Sequence, residues 1–316
     1  MPRVGLSGVP SDTDASECAS HERRIAPTLT QAQWVPLAQA HADRVEPWVR
    51  PHLARRSRQQ PHPVEDFLWR YYSYPPQALR TWHPGWGVEL SGDVAGFGTV
   101  RGFEVDGDRA RVDPALPARR AVQVREIRDL LVATQSRPAR LTCFGLHEWA
   151  MVYRQPAEQV RHALVPLRLG AAGTDAVVDA HRISCSHYDA YRFFTEAAAP
   201  LNTLCPTLAT RVVNEQPGCL HAGMDVYKWA YKLAPFSSAD LVADCFALAR
   251  EIRVFDMRAS PYDLSAWGYD PVRIETPDGK ADYVRAQRDF SARSGVLRAG
   301  LIAVCDQVLD DLARTA

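Results

Sequence analysis

The chain has 316 residues, 46% of them hydrophobic, and its 37 basic and 37 acidic side chains give a formal net charge of zero. A chain of this size and composition can bury a substantial core. Its balanced charge excludes the global positive field that draws proteins nonspecifically to nucleic acids or acidic membranes. No apolar run reaches the roughly 20 residues needed to cross a bilayer, so we expect no membrane contact.

The N-terminus and the cysteines indicate a cellular location. The N-terminus lacks the continuous apolar segment of a secretory signal, and the seven cysteines are scattered without a Cys-x-x-Cys pair. This spacing argues against a disulfide framework and against a thiolate zinc site. We therefore predict a cytoplasmic protein, whose oligomeric state the sequence leaves unknown.

Taken in chain order, the pattern predicts a mainly α fold: a single domain with one or two small β hairpins. Residues 1–28 are rich in Ser, Asp, Pro and Gly and are predicted to form a disordered N-terminal tail. The remainder, 29–316, is predicted to be a single mainly helical domain. A helical pattern begins at Thr30 and extends past Trp48, and three prolines within it should break or kink the helix; they are Pro36, Pro47 and Pro51.

Strand signals are few and short. Between Gly96 and Val112, strand-forming residues flank the turn sequence Asp106-Gly107-Asp108, which predicts a β hairpin. The sequence between Leu167 and Val178 is compatible with a second short hairpin. The other periodic segments predict helices over 118–135, 206–213, 218–233 and 238–256, and from Thr276 to the C-terminus.

The segment from Gly218 to Leu233 carries the first candidate site. His221 and Asp225 lie four residues apart, so on a helix they share one face with Cβ atoms about 5–6 Å apart. Lys228 continues this row, and an adjacent apolar stripe should bury the helix against the protein. Such a helix carries its polar row into a cleft, where it can bind a metal ion or polarise a substrate.

Three further groups of polar residues are site candidates. His147 and Glu148 interrupt an apolar segment, where a buried charge requires a partner. His187 follows another histidine by six residues, with a cysteine between them. Asp256 and Arg258 lie at the C-terminal end of a predicted helix. The sequence has no phosphate-binding loop, dinucleotide fingerprint, nucleophile elbow or His-Glu-x-x-His motif, so nucleotide-driven and zincin chemistry are not expected.

From about His41 to the C-terminus, the chain resembles a group of actinobacterial proteins labelled 3-methyladenine DNA glycosylases. The resemblance implies a hydrolase that releases an alkylated nucleobase from DNA by N-glycosidic cleavage, without a cofactor. The motifs that carry it are His62-Pro63-Val64-Glu65-Asp66-Phe67, Trp82-His83-Pro84-Gly85, Phe144-Gly145-Leu146-His147-Glu148-Trp149-Ala150-Met151-Val152-Tyr153-Arg154, Gly218-Cys219-Leu220-His221 and Asp256-Met257-Arg258-Ala259-Ser260-Pro261-Tyr262-Asp263-Leu264.

The implied activity requires particular residue types. A glycosylase stacks the flipped base between aromatic side chains and places a carboxylate near the sugar to stabilise an oxocarbenium-like state. Under this interpretation the substrate-binding candidates are Trp149, Tyr227, Trp229 and Arg258, and the catalytic candidates are Asp225, Asp256, Glu148 and Lys228.

The residue types alone support a different function. Two or three histidines with one carboxylate and open positions form the ligand set of a non-haem iron or zinc enzyme. Under this alternative, His147, His187 and His221 bind Fe or Zn, and the partner is a small-molecule substrate instead of alkylated DNA. A third alternative is a noncatalytic binding protein whose polar residues form hydrogen-bonded core networks. We expect one pocket to contain His147, Glu148, His221 and Asp225.

Overall fold

The structure is a computed structural model that describes residues 27–156 and 165–315. It is 58% helical and 6% strand, which confirms the predicted mainly α fold. Its α-helices are α1 (Gln31–Ser57), α2 (Phe67–Tyr71), α3 (Pro76–Arg80), α4 (Leu116–Gln135), α5 (Leu146–Ala150), α6 (Gly170–Asp179), α7 (Tyr188–Tyr191), α8 (Arg211–Asn214), α9 (Leu220–Leu233), α10 (Ala239–Arg258) and α11 (Pro277–Thr315). Its strands are β1 (Thr28–Leu29), β2 (Glu89–Ser91), β3 (Phe103–Asp106) and β4 (Arg109–Val112).

Helix α1 is continuous through Pro36, Pro47 and Pro51, so of the predicted break or kink at these prolines the break does not occur. All three prolines lie on the exposed side of the helix. Each one removes a backbone N–H from the helix ladder, but on the exposed side water can satisfy the carbonyl group left without a partner. Val45, Val49 and His52 on the opposite side are buried and anchor the helix to the core.

The four strands form one small sheet in the order β1-β2-β4-β3. Strands β3 and β4 pair antiparallel with Asp106 opposite Arg109, which confirms the predicted hairpin. Its turn contains Gly107, whose φ of 57° lies in the left-handed region that such turns use. Strand β1 pairs in parallel with β2, so Thr28 belongs to the sheet and not to the predicted tail. Residues 1–26 of that tail lie outside the described residues.

Two segments fold differently from the prediction. The hairpin predicted between Leu167 and Val178 is wrong, because α6 occupies most of this segment and Leu167 makes an isolated bridge to Tyr262. The helix predicted over 206–213 is reduced to the single turn of α8. Short apolar runs do not distinguish a strand from a buried helix by their periodicity, which accounts for the first error.

Helices α9, α10 and α11 pack together at the centre of the molecule. Helix α10 begins after its N-cap residue Ser238, whose hydroxyl accepts a hydrogen bond from the backbone N–H of Leu241 at 3.2 Å. Helix α11 continues through Gly295 for 39 residues. Helix α9 is buried at 11 of its 14 positions, and His221 and Asp225 are among the buried ones. Within the described residues, no helix combines the length and the apolar character needed to cross a membrane.

Candidate functional site

Helix α9 brings His221 and Asp225 into the interior, where they are 9% and 2% exposed. The chain before it passes close to another segment at Gly218, where a Cβ atom would lie 2.7 Å from the carbonyl oxygen of Arg140. The helix ends before Pro235, which lacks the N–H needed to extend it. Glycine and proline therefore fix where the helix begins and ends.

Helix α5 positions His147. The two residues before the helix, Phe144 and Gly145, have positive φ angles of 48° and 70° and turn the chain sharply into it. The indole N–H of Trp149 donates a hydrogen bond to the carbonyl oxygen of Ala259 at 2.9 Å, which fixes α5 to the C-terminal end of α10. His147 is thereby buried against residues of both α9 and α10.

A compact buried group, termed the first cluster, consists of His147, His221 and Asp256. Their potential ligand atoms all lie within 4.8 Å of one another. Nε2 of His147 is 3.1 Å from Oδ2 of Asp256, and the rings of His147 and His221 meet edge to face with centroids 4.3 Å apart. The two histidines lie together as predicted, but the carboxylate beside them is Asp256 and not Asp225.

Charge is divided unequally within the first cluster. Burial alone would lower the pKa of His147, but Asp256 outweighs burial and holds this pKa well above its usual value. Burial and the neighbouring His147 lower the pKa of His221 well below its usual value. Without a metal ion, His147 therefore carries a proton at neutral pH, whereas His221 is neutral. Within the described residues, the His221 ring contacts two other imidazole rings and takes part in no hydrogen bond, and Oδ1 of Asp256 has no partner.

Asp225 belongs to an adjoining group. Its Oδ2 is 3.1 Å from Nζ of Lys228, which also contacts Asp189 at 2.8 Å. Burial would raise the pKa of Asp225, but Lys228 and the other cations around it hold this pKa well below its usual value. This second cluster consists of His187, Glu215 and Asp225, whose potential ligand atoms also lie within 4.8 Å of one another.

A narrow pocket opens beside the first cluster. It is a small cleft that is partly open to solvent. The Phe67 and Tyr71 rings stack with centroids 5.0 Å apart, and Arg253 lies over Phe67 while donating a hydrogen bond to Glu148 at 2.8 Å. The pocket reaches the first cluster at His221. Its lining residues are Phe67, Tyr71, Glu148, Met151, Asp189, Phe193, His221 and Arg253.

The residues predicted to bind a base lie away from this pocket. Trp149 and Tyr227 are 0% exposed and Trp229 is 7% exposed, so all three are packed in the core. Arg258 lies at the end of α10, where its Nε donates a hydrogen bond to a loop carbonyl oxygen at 2.7 Å. The aromatic side chains available to a molecule in the pocket are instead Phe67, Tyr71 and Phe193.

Sequence reasoning missed three charged residues around the clusters: Arg253, Glu215 and Asp189. A signal existed for Arg253, because it and Asp256 occupy the otherwise apolar stripe of α10, and a charge on a buried stripe requires a partner. Glu215 and Asp189 lie at short segments without periodicity, which carry no comparable signal.

No family model matches the chain, and no curated protein or solved structure matches it either. The functional proposal therefore depends on the geometry of the two clusters and the pocket, together with the resemblance described above.

Proposed function

We propose that the protein is a metal-dependent enzyme that acts on a small molecule in the pocket. In this proposal His147, His221 and Asp256 bind Fe(II) or Zn(II). The observation that carries it is the convergence of their potential ligand atoms within 4.8 Å of one another. Two imidazoles and one carboxylate, with further positions open, are a ligand set that both ions use in enzymes.

The distance between His147 and Asp256 in the first cluster suits two ligands of one metal ion. Two atoms that lie about 2.1 Å from one ion are about 3.0 Å apart at a right angle and about 3.4 Å apart at the tetrahedral angle. The 3.1 Å between Nε2 of His147 and Oδ2 of Asp256 falls in this range, although it also suits a hydrogen bond. Additional support comes from the neutral ring of His221 and from the unpartnered Oδ1 of Asp256. An unsatisfied buried polar atom costs about 1–3 kcal/mol, which a bound ion would recover.

The pocket supplies groups that a substrate would need. A bound ion provides Lewis acidity, and three protein ligands leave positions open for a substrate atom. Arg253 also lies in the pocket wall, where its charge is paired with that of Glu148. Phe67 and Tyr71 add an apolar surface to the same pocket. We therefore expect the substrate to combine an apolar part with an oxygen-rich polar end.

Elemental analysis of the purified protein tests the proposal. We expect at least one equivalent of iron or zinc per chain and the loss of one equivalent in His221→Leu. The matched control is His83→Leu, a buried histidine outside both clusters, which should retain the wild-type metal content. Circular dichroism establishes that both variants are folded. Metal-free protein from iron- and zinc-supplemented cultures, or equal metal content in the two variants, would contradict the proposal.

The resemblance to the 3-methyladenine DNA glycosylases supports a second candidate, a hydrolase that releases an alkylated base. The pocket favours it in one respect, because aromatic rings lie beside the Glu148 carboxylate and base excision requires both. An assay of base release from methylated DNA, with and without a chelator, separates the two candidates. Chelator-resistant release that Glu148→Gln abolishes would support the glycosylase. The absence of any base release would eliminate the glycosylase candidate.

We also propose that the protein works in the cytoplasm. All six cysteines in the described part of the chain are free thiols, which is the state that a reducing compartment maintains. Fractionation of cells that produce the protein tests this location, and recovery from an oxidising compartment would contradict it.

A further inference from the structure

The second cluster has no role in the proposed function, and its geometry points to one. We infer that His187, Glu215 and Asp225 hold a second divalent transition-metal ion beside the first, so that the protein contains a two-metal centre. The inference rests on the proposed function, because it extends the same centre by one ion.

The need for a ligand in the second cluster is clearest at His187. Its side chain is 1% exposed, and neither of its ring nitrogens has a hydrogen-bond partner among the described residues. Buried polar atoms are almost always satisfied in folded proteins. Nε2 faces two carboxylates, at 3.4 Å from Oδ2 of Asp225 and 3.7 Å from Oε1 of Glu215. A group that binds Nε2 would therefore contact both carboxylates as well.

These separations favour a metal ion over a water molecule. If an ion lay about 2.1 Å from each atom, the angle at the ion would be about 110° between His187 and Asp225 and about 125° between His187 and Glu215. Both angles are close to tetrahedral values. If a water molecule lay about 2.8 Å from each atom, the angles at its oxygen between the same pairs of partners would be only about 75° and about 83°. Angles this acute are poor for water, so the spacing suits direct coordination.

Neighbouring side chains orient the two carboxylates. The Tyr72 hydroxyl donates a hydrogen bond to Oδ1 of Asp225 at 2.9 Å, which directs the other oxygen toward the cluster. Nε of Arg211 donates a hydrogen bond to Oε1 of Glu215 at 2.9 Å. Supporting hydrogen bonds of this kind orient the ligands in metal sites.

The ligand types of the second cluster suit a divalent metal ion, and neighbouring cations balance the charges of its carboxylates. Three carboxylates, those of Asp189, Glu215 and Asp225, are in ion-pair contact with three cations, Lys228, Arg211 and Arg192. Imidazole and carboxylate ligands together suit divalent ions such as zinc, iron and manganese.

The two clusters adjoin each other through His221. Its ring centroid is 4.3 Å from that of His147 in the first cluster and 5.3 Å from that of His187 in the second. The pocket reaches the first cluster at His221. Asp189, which also lines the pocket, is linked to the second cluster through Lys228, the shared ion-pair partner of Asp189 and Asp225. Two ions at these positions would form one centre that serves one pocket.

Metal counting on the whole chain tests the inference. The protein is stripped with a chelator, dialysed and titrated with Co²⁺ alone, and the bound metal is measured after gel filtration. We expect two equivalents in the wild type and in the control His83→Leu, and one equivalent in His187→Leu and in Glu215→Gln. His221→Leu should also retain one equivalent. Circular dichroism confirms that each variant is folded; if a variant does not fold, the wild-type titration still gives the number of sites.

The outcomes distinguish this inference from the proposed function. One equivalent in the wild type that is lost in His221→Leu and kept in His187→Leu would overturn the second site and leave the first intact. One equivalent that is lost in His187→Leu and kept in His221→Leu would support the second site and contradict the first. No bound Co²⁺ in the wild type would overturn both.

Discussion

Replacing Asp256 with Asn should destabilise the metal-free protein through the charge of His147. Asp256 is 0% exposed, and its Oδ2 lies 3.1 Å from Nε2 of His147 and 3.8 Å from a guanidinium nitrogen of Arg253. Asn has nearly the same shape as Asp, so the substitution removes the charge and leaves the packing almost unchanged. Arg253 keeps Glu148 as a partner at 2.8 Å, and the loss therefore falls mainly on His147.

Removing one partner of a buried ion pair typically costs about 3–5 kcal/mol. His147 can release its proton near its ordinary pKa of about 6.5, which limits the cost, so we expect about 3 kcal/mol at pH 6. The folded-state pKa of His147 is raised, so the pair stabilises the wild type fully below pH 6.5 and loses its contribution as the pH rises through that raised pKa. The difference between Asp256→Asn and the wild type should therefore be smaller at pH 9 than at pH 6.

Urea unfolding in the presence of a chelator, followed by circular dichroism, measures this difference. A double-mutant cycle with His147→Gln should give a coupling energy of about 1–3 kcal/mol. The matched control is Asp282→Asn, which breaks an exposed pair with Arg285 and should cost less than about 1 kcal/mol. A cost below about 1 kcal/mol for Asp256→Asn, or no coupling to His147, would refute the argument that the two side chains form a buried ion pair.

Three further predictions concern the elements around the site. Ser238→Ala removes the N-cap hydrogen bond of α10 and should lower the free energy of unfolding by about 1 kcal/mol in urea titrations; an unchanged value would show that the cap contributes nothing. Burial lowers the pKa of His83 to about 4. As the pH falls from 6.5 to 4, the wild type should therefore lose roughly 3 kcal/mol of stability relative to His83→Leu, and parallel pH profiles would contradict this. An alanine at position 145 would have to adopt a positive φ, and its Cβ atom would lie 3.2 Å from the Tyr283 ring. Gly145→Ala should cost at least about 1–2 kcal/mol and more than Gly107→Ala, which has a positive φ in open space; equal costs would argue against a packing conflict.

The sequence predicts those elements whose signals are local. Helix α10 has an N-cap serine directly before a long apolar stripe, and the β3–β4 hairpin has an Asp-Gly turn, so both could be predicted. The prolines of α1 also act locally, but their effect depends on which side of the helix faces water. That side is determined by the packing of Val45 and Val49 against distant residues, which no local pattern contains.

The same limit applies to the site. The spacing of His221 and Asp225 predicts that they share one helix face, and both are buried as expected. Their partners could not be predicted from local patterns. His147 and Asp256 reach His221 from two other helices. His187 and Glu215 reach Asp225 from segments with little regular structure. Two neighbouring residues of one helix thus belong to different clusters.

Anomalous X-ray diffraction from crystals of the metal-loaded protein tests the first metal site most directly. The account predicts a peak about 2.0–2.2 Å from Nε2 of His147, from a ring nitrogen of His221 and from a carboxylate oxygen of Asp256. A crystal of protein with stoichiometric metal but no peak between these three side chains would contradict it.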